Sequence, residues 1–267
     1  MNVLAVTLLG YLMLGAVAGT LAGLLGVGGG LIIVPALVAV FTFQGISPEV
    51  VMHLAIGTSL ATIVVTGSSS ALGHWRRGSV QWPWFAALLP GLMAGAIIGV
   101  LVAGQLTGPL LGTLFGLFVL AIAAKMAFGF SPVIQRDSQP SPYAMALAGS
   151  VIGGVSAFFG IGGATMAVPW LSRCGASLTQ AVGTSAACGV PIAVLGALTF
   201  IVMGWGNPQL PSWATGYVMW PAFIMIVITS IPFAHLGVRW AHRLPSHVLR
   251  WAFAALLTAV GLKFLLS

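Results

Sequence analysis

The sequence predicts an all-α polytopic membrane protein built from two inverted repeats, each carrying a glycine-broken helix pair. Three observations lead there. First, 59% of the 267 residues are hydrophobic and only 4% are charged, against about 25% charged residues in an ordinary soluble domain. A chain so poor in charge belongs in lipid, with apolar helices as its surface. Second, GVGGGLIIVPAL from Gly26 returns as GIGGATMAVPWL from Gly160, 134 residues later, and Gly15 and Gly19 match Gly149 and Gly153 at the same offset. Third, the basic residues gather on one set of loops. The apolar runs are continuous, whereas the strands of a β-barrel would alternate.

The apolar segments fall, in order, at about 3–25, 29–43, 50–73, 83–102 and 109–128 in the first half. Those of the second half fall at about 143–160, 163–173, 178–203, 213–238 and 247–266. The first segment starts without a basic leader and reads as a membrane segment rather than a signal peptide. The second and seventh segments are short and contain Pro35 and Pro169. The polar stretch FSPVIQRDSQPSP separates the halves. The division is therefore a first repeat over 1–128, a cytoplasmic linker over 129–142 and a second repeat over 143–267. Further matches support the duplication. Ile56-Gly57-Thr58-Ser59 pairs with Val182-Gly183-Thr184-Ser185 at offset 126, and Gly99, Leu106, Phe115 and Lys125 pair with Gly237, Leu244, Phe253 and Lys263 at offset 138.

Loop charge sets the topology. If each broken pair counted as one crossing, the loop with Arg76 and Arg77 would face away from the loop with Arg239 and Arg243. If each pair goes in and returns, Arg76, Arg77, Lys125, Arg136, Arg173, Arg239, Arg243 and Arg250 share one face, and only Lys263 does not. Basic residues gather in cytoplasmic loops. The second count predicts about eight full transmembrane helices and two short or re-entrant segments, inverted halves, and both termini extracytoplasmic in a cell inner or plasma membrane. The net charge of +7 then reports topology rather than nucleic-acid binding.

Broken helices at matching places in inverted repeats are the best sequence pointer to a transporter site. A helix starting after a break presents free N–H groups and a positive dipole end, which can hold an anion without a formal charge. Gly29, Gly30, Gly163 and Thr165 stand at such starts. The hydroxyls of Thr58, Ser59, Thr184 and Ser185 can donate to a ligand oxygen, or bond back to their own helix. For Gly15, Gly19, Gly149 and Gly153 close helix packing is the favoured reading. His53 and Glu49 are candidates for proton coupling. A headgroup-level histidine and a helix-start carboxylate are the plainer alternatives.

The exclusions are equally concrete. No Gly-Lys-Ser/Thr phosphate loop supports ATP drive. No spacing of His, Cys and carboxylate suggests a metal, and Cys174 and Cys188 suggest neither a disulfide framework nor a cofactor. No Ser-centred nucleophile elbow is present, and two acids, Glu49 and Asp137, do not make an acid–base pair across the predicted topology, so an enzyme is not expected.

GLLGVGGGLIIVPAL followed by AIGTS, then GGVSAFFGIGGATMAVPWL followed by AVGTS, resembles the TauE/SafE family of sulfite and organosulfonate exporters over nearly the whole chain. The resemblance implies transport of small sulfur-containing anions. Carried over by motif position, it implies a substrate site of Gly28, Gly29, Gly30, Thr58 and Ser59 with Gly162, Gly163, Thr165, Thr184 and Ser185. The second copy departs in having Ala164 for Gly30 and Thr165 for Leu31. The expected function is secondary transport by alternating access around the two breaks. The expected partners are a small anionic substrate and the bilayer, with a homodimer left open. The competing readings are a non-transporting membrane assembly component and a carrier of another small anion or a metal.

Overall fold

The computed structural model describes residues 3–25, 29–128, 140–241 and 246–266. The chain forms α1 (Val3–Leu25), α2 (Gly30–Phe43), α3 (Pro48–Arg76), α4 (Trp82–Gly104) and α5 (Gly108–Phe128). It continues with α6 (Pro142–Phe159), α7 (Ala164–Arg173) and α8 (Leu178–Met203). A two-stranded hairpin, β1 (Ala214–Thr215) and β2 (Val218–Met219), precedes α9 (Trp220–Ala241) and α10 (Ser246–Leu266). By length and composition five helices, α3, α4, α5, α6 and α8, are long and apolar enough to cross a membrane, and α1, α2, α9 and α10 contribute shorter apolar stretches. The protein is a helical, multi-pass membrane protein.

Local sequence sets the helix starts. Ser47 caps α3 ahead of Pro48 and accepts from the Glu49 amide, and Ser141 caps α6 ahead of Pro142. Ser177 and Gln180 form a reciprocal capping box on α8, so two of the orphan amides of that first turn are satisfied. The ninth segment differs from expectation. Residues 214–219 are extended, Gly216 turns with φ +53, and the helix begins only at Trp220, where Pro221 suits a first turn that needs no amide donor.

Two helix pairs are locked backbone to backbone. Gly149 and Gly153 on α6 meet the carbonyls of Leu88 and Leu92 on α4, and Gly15 and Gly19 on α1 meet those of Ile226 and Ser230 on α9. A methyl group at any of the four would collide with main chain. The partners stand at the two offsets read from the sequence, 134 between the glycines and 138 between the carbonyls. These pairs run parallel. α3 and α8 instead cross antiparallel, with Gly57 against Phe200 and Leu60 against Gly196, and so do α5 and α10, with Gly112 against Phe264 and Gly116 against Gly261.

Contacts at helix ends place the loops. The His53 ring bonds the Ala103 carbonyl, and Gly108 packs on Pro48 and Glu49, so α3 starts where α4 stops and α5 starts. Tyr217 joins that end by packing on Gly57. At the opposite end, Arg77 closes α3 and the Gln81 amide bonds Thr184 near the start of α8. α2 folds back along α1: the Tyr11 hydroxyl donates to Gln44 Oε1 at 3.1 Å, Gln44 Nε2 donates back at 2.7 Å, and Tyr11 meets Phe41 edge to face. With 14 and 10 residues, α2 and α7 extend roughly 21 and 15 Å, short of the ~30 Å hydrocarbon core.

Candidate functional site

The second break is fully described. α6 ends at Gly160 in the left-handed region (φ 68), Ile161 is buried, Gly162 is left-handed again (φ 66), and α7 starts after Gly163. Two consecutive reversals of this kind suit glycine, which has no Cβ to clash. The Gly160 carbonyl accepts from Ser59 Oγ at 2.8 Å, so α3 holds the break in place. Gly163 has no side-chain cap, and its carbonyl accepts from the amides of Met166 and Ala167. Among the described residues the amides of Gly163, Ala164 and Thr165 have no hydrogen-bond partner. They are the orphan donors of a helix start.

The first break meets the second. A Cβ on Gly30 would sit 2.6 Å from the Ile161 Cα, so only glycine allows the two breaks to touch. Ala164 stands at the matching place in the second copy. Gly29 precedes α2, and its carbonyl accepts from Ile32 and Ile33. Gly28 lies outside the described residues.

A cavity of about 520 Å³ opens onto both breaks. Gly29 and Gly162, Gly163 and Ala164 form its floor, with Ile63 of α3 and Gly189 and Ser185 of α8. α1 and α9 wall it with Gly19 and Ser230. Thr66, Ser69 and Ser70 lead along α3 to a mouth at His74 and Arg77. Among the described residues no carboxylate lines it. Towards the other end it is sealed where Ile56 packs on Gly160, Leu60 on Gly196, and Phe200 on Tyr217 and Gly57. Lys263 belongs to a separate, apolar cavity of about 340 Å³ between α2 and α10.

The residues singled out in the sequence divide by position. Gly29, Gly162, Gly163 and Ser185 line the cavity, and the Ser185 hydroxyl donates to the Val182 carbonyl at 2.9 Å. Thr58 and Thr184 do not line it. Thr58 Oγ1 donates to the Leu54 carbonyl at 2.6 Å and accepts from the Met219 amide at 3.0 Å; Thr184 Oγ1 accepts from the Gln81 amide at 2.9 Å. Gln81 and Met219 are 138 residues apart and immediately precede α4 and α9. Gly57 and Gly183 allow the same segments, at Tyr217 and Ser79, to press against α3 and α8. Each Gly-Thr pair thus seats the entry of a helix from the opposite half.

Thr165 Oγ1 is buried, finds no partner among the described residues and lies off the cavity. His53 is buried within the protein near the start of α3. It is 4% exposed, 3.1 Å from the Ala103 carbonyl through Nε2 and packed on the Tyr217 ring. The membrane segment buries it because α4 and the 213–219 hairpin close over α3. Glu49 is exposed in the first turn of α3, where a carboxylate complements the helix dipole. Sequence reasoning missed the cavity's α3 lining. Thr66, Ser69, Ser70 and His74 recur every three or four residues on one helix face, and that spacing was the available signal.

A family model described as Sulfite exporter TauE/SafE matches residues 11–264. The chain belongs to this family. A probable membrane transporter protein of Haemophilus influenzae is 37% identical over 96% of this chain and 97% of its own length. A probable membrane transporter protein of Methanocaldococcus jannaschii is 27% identical over 96% of this chain and 94% of its own. The probable membrane transporter protein MamO of Paramagnetospirillum magneticum is 26% identical over 97% of this chain, which spans 45% of that relative. No solved structure matches the chain.

Proposed function

We propose that this TauE/SafE protein is a secondary transporter, an exporter, of small sulfur-containing anions such as sulfite or organosulfonates. The observation that carries the reading is the cavity floor. Helix-start amides at Gly163 and Ala164, unbonded among the described residues, belong to the cavity lining together with Ser185, and no described carboxylate lines the cavity. Oriented amides at a helix start favour an oxyanion without burying a formal charge. The family's description, sulfite exporter, agrees with that chemistry.

The mechanism we infer is alternating access between two inverted repeats, 1–128 and 143–267, joined by the 129–142 linker. A two-fold axis in the membrane plane would make counterpart helices antiparallel, and the α3/α8 and α5/α10 crossings support it. The same relation accounts for the matched parallel pairs α4/α6 and α1/α9. The start of α1 and the finish of α10 share the end of the fold away from Arg76, Arg77 and Arg173. That favours a cytoplasmic face at the arginines and extracytoplasmic termini, in an inner or plasma membrane. The open cavity is then the cytoplasm-facing state.

The test is flux of sulfite and C2 sulfonates in proteoliposomes of the purified chain, with and without an imposed pH gradient. Saturable flux is expected. Its response to the gradient decides whether protons, with His53 and Glu49 as candidate carriers, are coupled. Absence of flux for every anion tried, in folded protein, sinks the reading.

A further inference from the structure

The cavity and the duplication together expose an asymmetry that neither shows alone. Contacts of Gly57 and Gly183 with Tyr217 and Ser79 anchor α3 on α8 at offset 126 in space as well as in sequence. Under that correspondence the cavity lining on α3 can be compared with its α8 counterpart, position by position. Thr66 corresponds to Ile192, Ser69 to Leu195, Ser70 to Gly196, His74 to Phe200 and Arg77 to Met203. A file of hydroxyls ending in an imidazole and a guanidinium contrasts with a file that has no charge and a single hydroxyl, Thr199 opposite Gly73, which donates to the Leu195 carbonyl of its own helix at 2.7 Å. Ile192 and Phe200 are fully buried in the seal, whereas Ser69, Ser70 and Arg77 are exposed along the open path.

Among the described residues the charged group and two hydroxyls at the mouth are uncommitted. The chain has two acids; Glu49 lies at the opposite end and Asp137 lies outside the described residues, so no described carboxylate pairs with the Arg77 guanidinium. The Ser69 and Ser70 hydroxyls make no hydrogen bond among the described residues. The single hydroxyl proton of Ser79 goes to the His74 carbonyl at 2.9 Å, so at the 3.3 Å contact between Ser79 Oγ and His74 Nδ1 the imidazole is the donor. That bond fixes the ring at the mouth. A guanidinium fork matches the oxygens of a sulfite or sulfonate group in a way that a point charge does not.

We propose that anion capture is one-sided: Arg77, with His74, Ser69 and Ser70, forms a capture site for sulfur oxyanions at the mouth of the cavity, and the path to the opposite face has no counterpart. The proposal rests on the anion-transport reading for its purpose, but its electrostatics can be tested without transport. The inner face concentrates anions from dilute solution and hands them to the amides at Gly163 and Ala164. The outer path, lined by Ile192, Leu195, Phe200 and Met203 when it opens, releases them.

Two measurements test this. In full-length protein carrying Cys174→Ala, with Cys188 buried and retained, Ser69→Cys is reacted with the anionic 2-sulfonatoethyl methanethiosulfonate and its trimethylammonium analogue. Arg77→Gln is expected to lower the anionic-to-cationic rate ratio about tenfold, and Arg77→Lys to lower it far less, because a local charge steers reagent approach. In orientation-sorted proteoliposomes, Arg77→Gln is expected to raise the half-saturating sulfite concentration about tenfold from the arginine face and to leave the opposite face within about twofold. An unchanged reagent ratio, or equal shifts at both faces, overturns the proposal. A reduced ratio in a protein that moves no anion upholds the capture site and removes the transport reading instead.

Discussion

Gly57-Thr58-Ser59 and the break at Gly160–Gly163 touch each other, through the 2.8 Å bond from Ser59 to the Gly160 carbonyl, yet they do different work. Both features occur twice in the chain and both are rich in glycine and small polar residues. In the triplets the glycine makes room for a helix entry from the other half, and the threonine accepts that entry's amide. In the break, the glycines turn the chain and leave amides beside an open cavity. The difference lies in whether the polar groups already have partners. A hydroxyl or amide committed to the fold is a joint, and one left open beside a cavity is available to cargo.

The comparison can be broken most forcefully at Gly162. Gly162→Leu puts a side chain on a left-handed residue of the cavity floor, with strain of roughly 1–2 kcal/mol. Sulfite flux in proteoliposomes should vanish while the protein still inserts and elutes as wild type. Wild-type flux would mean that the break does not face cargo.

Next come the joints. Gly57→Val and Gly183→Val drive a side chain into the main chain at Tyr217 and Ser79, and overpacking of this kind costs about 1–3 kcal/mol or more. Both should lower thermal stability in detergent, and a variant as stable as wild type would show that the seats are loose.

Thr58→Val and Thr184→Val are shape-conserving and leave the Met219 and Gln81 amides unpaired, a penalty of about 1–3 kcal/mol each. Melting temperature should fall, with half-saturation for sulfite unchanged. A shifted half-saturation at constant stability would return the threonines to the substrate site.

The two serines give the smallest and sharpest contrast. Ser59→Ala loses a bond between helices, worth about 1 kcal/mol, and should act on stability. Ser185→Ala loses only a bond within its own helix and should act on half-saturation by a few fold, read from flux against sulfite concentration. Indistinguishable profiles would erase the distinction drawn here.

Much of this was legible in one dimension. Scarcity of charge and continuous apolar runs specify a helical membrane protein, because lipid tolerates nothing else over such lengths. The repeated motifs were legible too: Gly15 and Gly149 both pack on main chain, and Thr58 and Thr184 each accept an amide, from Met219 and Gln81. The apolar runs located the helices to within about three residues, except at 213–219, where an apolar run hides a hairpin. What the sequence could not separate was Thr58 from Ser185, or a His53 enclosed by neighbouring elements from one left open. Both distinctions depend on what packs opposite, across 161 residues for Thr58 and Met219 and 50 for His53 and Ala103. The hydroxyl file from Thr66 to Arg77 was likewise visible as letters but not as a lining. Composition and periodicity determine which surfaces must be apolar and where the chain must turn. Which polar groups are left without partners is a property of the packed molecule, and here that property defines the site.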